Sequence, residues 1–149
     1  MDQLTLARFV ADGAYARHLR AARTRYARRR AALLAGLDRE LPGALVGGIA
    51  AGMHVTVDLA GVRAGPAGAD GVDAADVVRE GAARDVALVD VRRYQAAPSA
   101  RSTVLVVGYG NLADARLAEA LRRLRAAVEA ASSGQARAAG ATAAPAPRG

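Results

Sequence analysis

VLVVGYGNLADARL, residues Val104 to Leu117, carries an apolar strand pattern through a glycine-containing turn into a helix. Gly108, Gly110 and Ala113 fit G-x-G-x-x-A, the spacing of a dinucleotide fingerprint, directly after a strand and at the mouth of a helix. Such a site needs a second parallel strand after the helix, with an acid near its end to hold the ribose. Here the helix shows Leu117, Leu121, Leu124 and Val128 at i, i+4, i+7 and i+11, one buried stripe, and only SSGQARAAGATAAPAPRG follows it. Glu129, the acid nearest the required distance, lies inside the helix. The stretch therefore reads as a tight turn joining the last strand and last helix of a small domain, not as a nucleotide cradle.

Working outward, a helix spans about Thr5 to Leu41. Stepping about 100° per residue, Tyr15, Leu19, Ala22, Tyr26, Leu33 and Leu37 fall in one narrow stripe. An interruption is expected near Gly13, and Pro42 and Gly43 supply the stop. LVGGIAAGMHVTVDL then gives a short strand, a turn at Gly47 and Gly48, and a strand from about Met53 to Leu59. In the second strand Met53, Val55, Val57 and Leu59 alternate with His54, Thr56 and Asp58. Gly61 to Gly71 is a glycine/proline loop. Asp73 N-caps a helix to about Ala83, with Asp76 well placed in its first turn. VALVDV, Val86 to Val91, and STVLVV are further strands. The order helix, strand, strand, helix, strand, strand, helix predicts a two-layer α/β domain over residues 1–131, with helices covering a small mixed sheet. Residues 132–149 are expected to form a disordered Ala/Pro/Gly tail.

Composition narrows the chemistry. The chain has 149 residues, 52% of them apolar but only one Phe and no Trp, so its core is built from small aliphatics. No run approaches the roughly 18 apolar residues of a membrane span, and the first residues do not read as a leader, so a cytoplasmic protein is expected, with no membrane partner. The absence of Cys removes disulfides, thiolates and Cys-based zinc, and His18 and His54 are too far apart in sequence to suggest another metal site. All 21 basic residues are arginine, against 14 acids. With no lysine, the chain has neither a Schiff-base lysine nor a phosphate-loop lysine.

RTRYARRR, Arg23 to Arg30, concentrates this charge near the start of the protein. The arginines at 17, 20, 23, 25 and 28 spread around the wheel, Arg29 and Arg30 flank the apolar stripe, and Tyr15 and Tyr26 belong to the stripe and do not interleave as base-stacking aromatics. This favours a solvated helix face over a nucleic-acid grip. His54, on a strand beside a glycine turn, and Tyr94, in the loop RRYQAAPSARS, are candidate ligand-facing residues. Ser99 and Ser102 have no positioned base beside them in the sequence.

In this order, four segments resemble the C-terminal, small-subdomain part of fold type I pyridoxal phosphate (PLP) aminotransferases, and most nearly the MocR/GabR subgroup of GntR-family regulators. They are ARFVADGAYARHLRAARTRYARRRAALLAGL, VGGIAAGMHV, GAARDVALVDVRRY and VLVVGYGNLADARLAEALRRL, together covering roughly residues 1–130. The resemblance implies a protein whose missing large subdomain carries the PLP lysine and whose DNA binding resides in a winged-helix domain absent from this chain. It implies no bound cofactor and no catalysis by this chain alone. The substrate arginine seen in such proteins would stand at Val106, or in some regulators at Asn111. By resemblance Asn111 is the position expected nearest the ligand, with His54 and Tyr94 behind it, although Asn111 could equally cap the following helix.

Two expectations follow. One is a truncated or split gene product, Met1 being an internal methionine used as a start, whose partner is the large subdomain or a second copy. The other is a stand-alone module of this fold that dimerises through its first helix and binds protein or nucleic acid.

Overall fold

The computed structural model describes residues 2–48, 52–63 and 72–142. Most of the glycine/proline loop (64–71) and the last part of the tail (143–149) lie outside the described residues.

The long first helix is two helices, α1 (Asp2–Ala11) and α2 (Ala14–Glu40). Gly13 breaks it as expected, with φ of 68°, a left-handed conformation that costs glycine nothing. Leu33 and Leu37, from the apolar stripe of α2, are buried, whereas Tyr15 at the other end is 42% exposed. Strand β1 (Leu45–Gly47) pairs with β2 (His54–Asp58), and β2 pairs with β4 (Val104–Gly108), setting Val55 opposite Val107 and Val57 opposite Leu105. That register puts the alternating valines of β2 on one face, against helices α2, α3 (Ala74–Ala82) and α4 (Leu117–Thr142). The Asp73 side chain caps α3 by accepting from the Ala75 amide at 2.9 Å, as its position in the sequence indicates.

The two-layer α/β architecture is as expected, but the sheet is antiparallel throughout, not mixed, in the order β1-β2-β4-β3. β2 and β3 (Val89–Asp90), joined through α3, run the same way, but β4 inserts between them and pairs antiparallel with both. The Val86–Val91 strand is also shorter than expected. The Val86 amide is spent on Gly81 O at the end of α3, and Asp90 accepts from the Arg92 amide to start a 3-10 turn, Val91–Tyr94. At the other end, α4 runs on to Thr142, past the boundary expected after Ala131. Ala131 and Ser132 are buried, and Gln135 donates to Asp76 on α3 at 2.9 Å. Small residues without apolar periodicity still pack here because α3 lies close enough to need nothing larger.

Candidate functional site

The opening stretch forms the wall of a cleft of about 840 Å3. Its apolar lining includes Leu33 of α2, Val107 of β4, and Leu117, Leu121 and Leu124 of α4. Two of the three residues singled out from the sequence, His54 and Asn111, line this cleft. Tyr94 does not; it ends the 3-10 turn at 67% exposure.

The two glycines of GYG have a packing reason. Gly108 stands opposite His54 in the β2–β4 ladder, and a Cβ there would lie 3.1 and 3.2 Å from His54 Cδ2 and Nε2. A Cβ on Gly110 would lie 3.0 Å from Met53 Sδ. The His54 and Met53 side chains thus fill the space a phosphate cradle would need, and among the described residues β4 has no parallel neighbour, so the nucleotide fingerprint has no structural support. Between the glycines, Tyr109 is buried; its amide donates to Met53 O at 3.0 Å and its hydroxyl to Gly52 O.

Arg29 fixes the far side of the turn. It donates to Gly110 O at 2.8 Å and to Asp114 Oδ1 at 2.5 Å, and its guanidinium lies 5.9 Å from the Tyr26 ring centre. The position of Arg29 beside the apolar stripe gives no sign of these partners, which lie more than 80 positions away in the chain. Asn111 does not cap a helix. The 3-10 turn Asp114–Arg116 that leads into α4 starts at Ala113 without a side-chain cap, and the Asn111 side chain, exposed at the cleft, makes no hydrogen bond among the described residues.

The charged groups of the cleft divide in two. Arg123 is held by Glu119 at 2.9 Å, Asp85 at 3.5 Å and Arg84 O at 3.1 Å; the hydrogen bond to Glu119 first, then the charges of Glu119 and Asp85, raise its pKa further against the effect of burial. Arg116, which also lines the cleft, forms no ion pair among the described residues. His54, Asn111 and Arg116 therefore offer donors without partners among the described residues around an apolar floor, which suits a small molecule with a polar or anionic end. Val106 pairs across the sheet with Thr56 and Val89, so that position supplies no charge. Among the described residues no three or more His, Asp or Glu side chains group as metal ligands.

The fold is that of a small aminotransferase subdomain. The solved structures it matches include a multiple-substrate aminotransferase of Thermococcus profundus (TM-score 0.67, 19% identity, 86% of this chain and 29% of that one). They also include a Pyrococcus horikoshii kynurenine aminotransferase in complex with PMP (TM-score 0.67, 22% identity, 83% of this chain, 28% of that one). A third is the α-aminoadipate aminotransferase of Thermus thermophilus, complexed with N-(5'-phosphopyridoxyl)-L-leucine (TM-score 0.65, 22% identity, 88% of this chain, 31% of that one). This chain thus spans less than a third of the length of these aminotransferases. The sequence matches no protein-family model and no curated protein. The donor set of the cleft does not by itself fit a pyridoxal cofactor: it includes no amine, and the chain has no lysine. No helix among the described residues is long and apolar enough to cross a membrane.

Proposed function

We propose that this chain is the small subdomain of a PLP-dependent aminotransferase-like protein and forms one wall of its amino-compound site, without carrying the cofactor chemistry. The observation behind this is that nearly the whole chain superposes on a part, under a third, of aminotransferases. Asn111 and His54, both on the cleft and both with unspent hydrogen-bonding capacity, are the residues that would face the ligand; Tyr94, which does not line the cleft, is the weakest of the three candidates. With Val106 and Asn111 at the two places where such proteins carry a substrate arginine, a ligand carboxylate would meet an amide donor in place of a bidentate guanidinium. The finer assignment, to a MocR-type regulator, is supported by the resemblance of the four segments quoted above; its DNA contacts would belong to a winged-helix domain outside this chain.

The purified chain, mixed with PLP and followed by visible absorbance, tests this. No protein-bound band is expected from the chain alone, because no lysine amine is present to capture the aldehyde. A stable band that survives desalting would overturn the assignment. The DNA beside the coding sequence gives the positive test: a frame encoding a lysine-bearing large subdomain supports it, and a genome with none to pair with this chain removes it.

A further inference from the structure

The cleft beside GYG has a direction. Leu117, Ala120, Leu121 and Leu124 line it at i, i+3, i+4 and i+7, so its long wall is one face of α4, two turns or about 10 Å in length. His54 and Asn111 stand at the end nearest the GYG turn, with Arg116 just ahead of the helix. Asp85 and Leu88, from the segment between α3 and β3, close the other end, where Asp85 pairs with Arg123.

The charges on this lining are not equally free. Asp85 and Glu119 are its two acids, Arg116 and Arg123 its two arginines. Glu119 is held by Arg122 and Arg123, and Asp85 by Arg123. Asp114, close to Arg116 in sequence, is taken by Arg29. Among the described residues, Arg116 is therefore the one lining charge without an ion pair, and it stands at one end of an apolar groove. A matching ligand has a single anionic end and an apolar body laid along α4. A second carboxylate at the far end would lie between the apolar floor and the carboxylates of Asp85 and Glu119. A cationic head at the near end would meet Arg116.

We infer that the cleft selects a monocarboxylate with an extended apolar body, its carboxylate on Arg116 and Asn111 and its body on Leu117, Leu121 and Leu124. Arg116 thus supplies, from beyond the turn, the charge that Val106 and Asn111 lack. This deepens the proposed function, on which it rests for the cleft being a ligand site, by naming the substrate class: amino compounds with one carboxylate and a long apolar side chain, not dicarboxylic ones. Their amino group makes no demand on this chain, because the cofactor chemistry lies outside it.

Isothermal titration of the full chain with four probes of one chain length tests this: octanoate, octan-1-ol, octylamine and octanedioate. Octanoate is expected to bind saturably, one per chain, and octylamine and octanedioate at least about tenfold more weakly. Arg116→Gln, at an exposed position, should weaken octanoate about tenfold and leave octan-1-ol unchanged. Ala120→Phe sets a ring into the cleft from its half-buried wall and should remove binding of both, with circular dichroism unchanged. Octanedioate or octylamine binding as tightly as octanoate overturns the inference. So does octanoate binding that Arg116→Gln leaves untouched, or that persists in a folded Ala120→Phe chain. Failure of octanoate to bind also overturns it, and leaves the subdomain assignment, which rests on the superposition, intact. A PLP band from the chain alone would instead remove that assignment and leave the selectivity of the cleft standing.

Discussion

Gly36 on α2 is buried where α4 crosses, and an added Cβ there would overlap Leu121 Cδ1 and stand 3.7 Å from Leu121 Cγ. Gly36→Ala therefore sets two effects against each other. Alanine in a helix interior is favoured over glycine by about 1 kcal/mol. Overpacking a filled site costs about 1–3 kcal/mol, and Leu121, 4% exposed, has little room to turn away. The net expectation is a loss of about 0–2 kcal/mol. Leu121→Ala alone leaves a cavity and costs about 2–5 kcal/mol. In that background the clash is gone, so Gly36→Ala should now stabilise by about 1 kcal/mol. The double-mutant cycle thus gives a coupling of about 1–3 kcal/mol, within the range for residues in contact. Urea unfolding of the four proteins, followed by far-UV circular dichroism, measures it. An identical effect of Gly36→Ala in both backgrounds would refute the close crossing of α2 and α4. The cleft would be affected too, since Leu33 and Leu121 line it from the two helices.

Three further outcomes are expected. Arg29→Ala removes the anchor of Gly110 and Asp114; because Asp114 is 73% exposed the ion pair itself is worth little, and a global loss of about 1–2 kcal/mol is expected, with amide exchange between Tyr109 and Asp114 accelerating more than in α4. Asp76 is held below its ordinary pKa of 3.8, chiefly by the Gln135 amide, and Asp90 is held below its own by Arg92, whose hydrogen bonds outweigh the opposing effect of burial. Their folded values lie below the unfolded ones, so this stability is complete above the ordinary aspartate range and is lost as pH falls through the lower folded values. Gln135→Ala should therefore lessen the fall in stability through that acid range, read from denaturation midpoints at successive pH values. Ser132→Ala should be neutral or stabilise by up to about 1 kcal/mol, because the buried Ser132 hydroxyl has no hydrogen-bond partner among the described residues; an equilibrium midpoint that falls would show that the hydroxyl is bonded after all.

Local chemistry was enough to locate most elements. The break at Gly13, the Asp73 cap, the alternation of Val55 and Val57 and the stripe of Leu121, Leu124 and Val128 follow from backbone preference and periodicity, which act over a few residues. His54 and Asn111 were legible as candidates, one from its strand position and the other from resemblance, and they line the same cleft. Tertiary structure decided what no local pattern records. Insertion of β4 between β2 and β3 made the sheet antiparallel, and the nearness of α3 carried α4 on to Thr142. The packing of His54 and Met53 against Gly108 and Gly110 turned a nucleotide-like spacing into a strand junction. In RTRYARRR, Arg29 holds the cleft wall while Arg23 and Arg25 remain at the surface. All three carry the same side chain; what differs is whether the fold brings an oxygen from another element within reach, and that is fixed by long-range packing, not by the helix on which they sit.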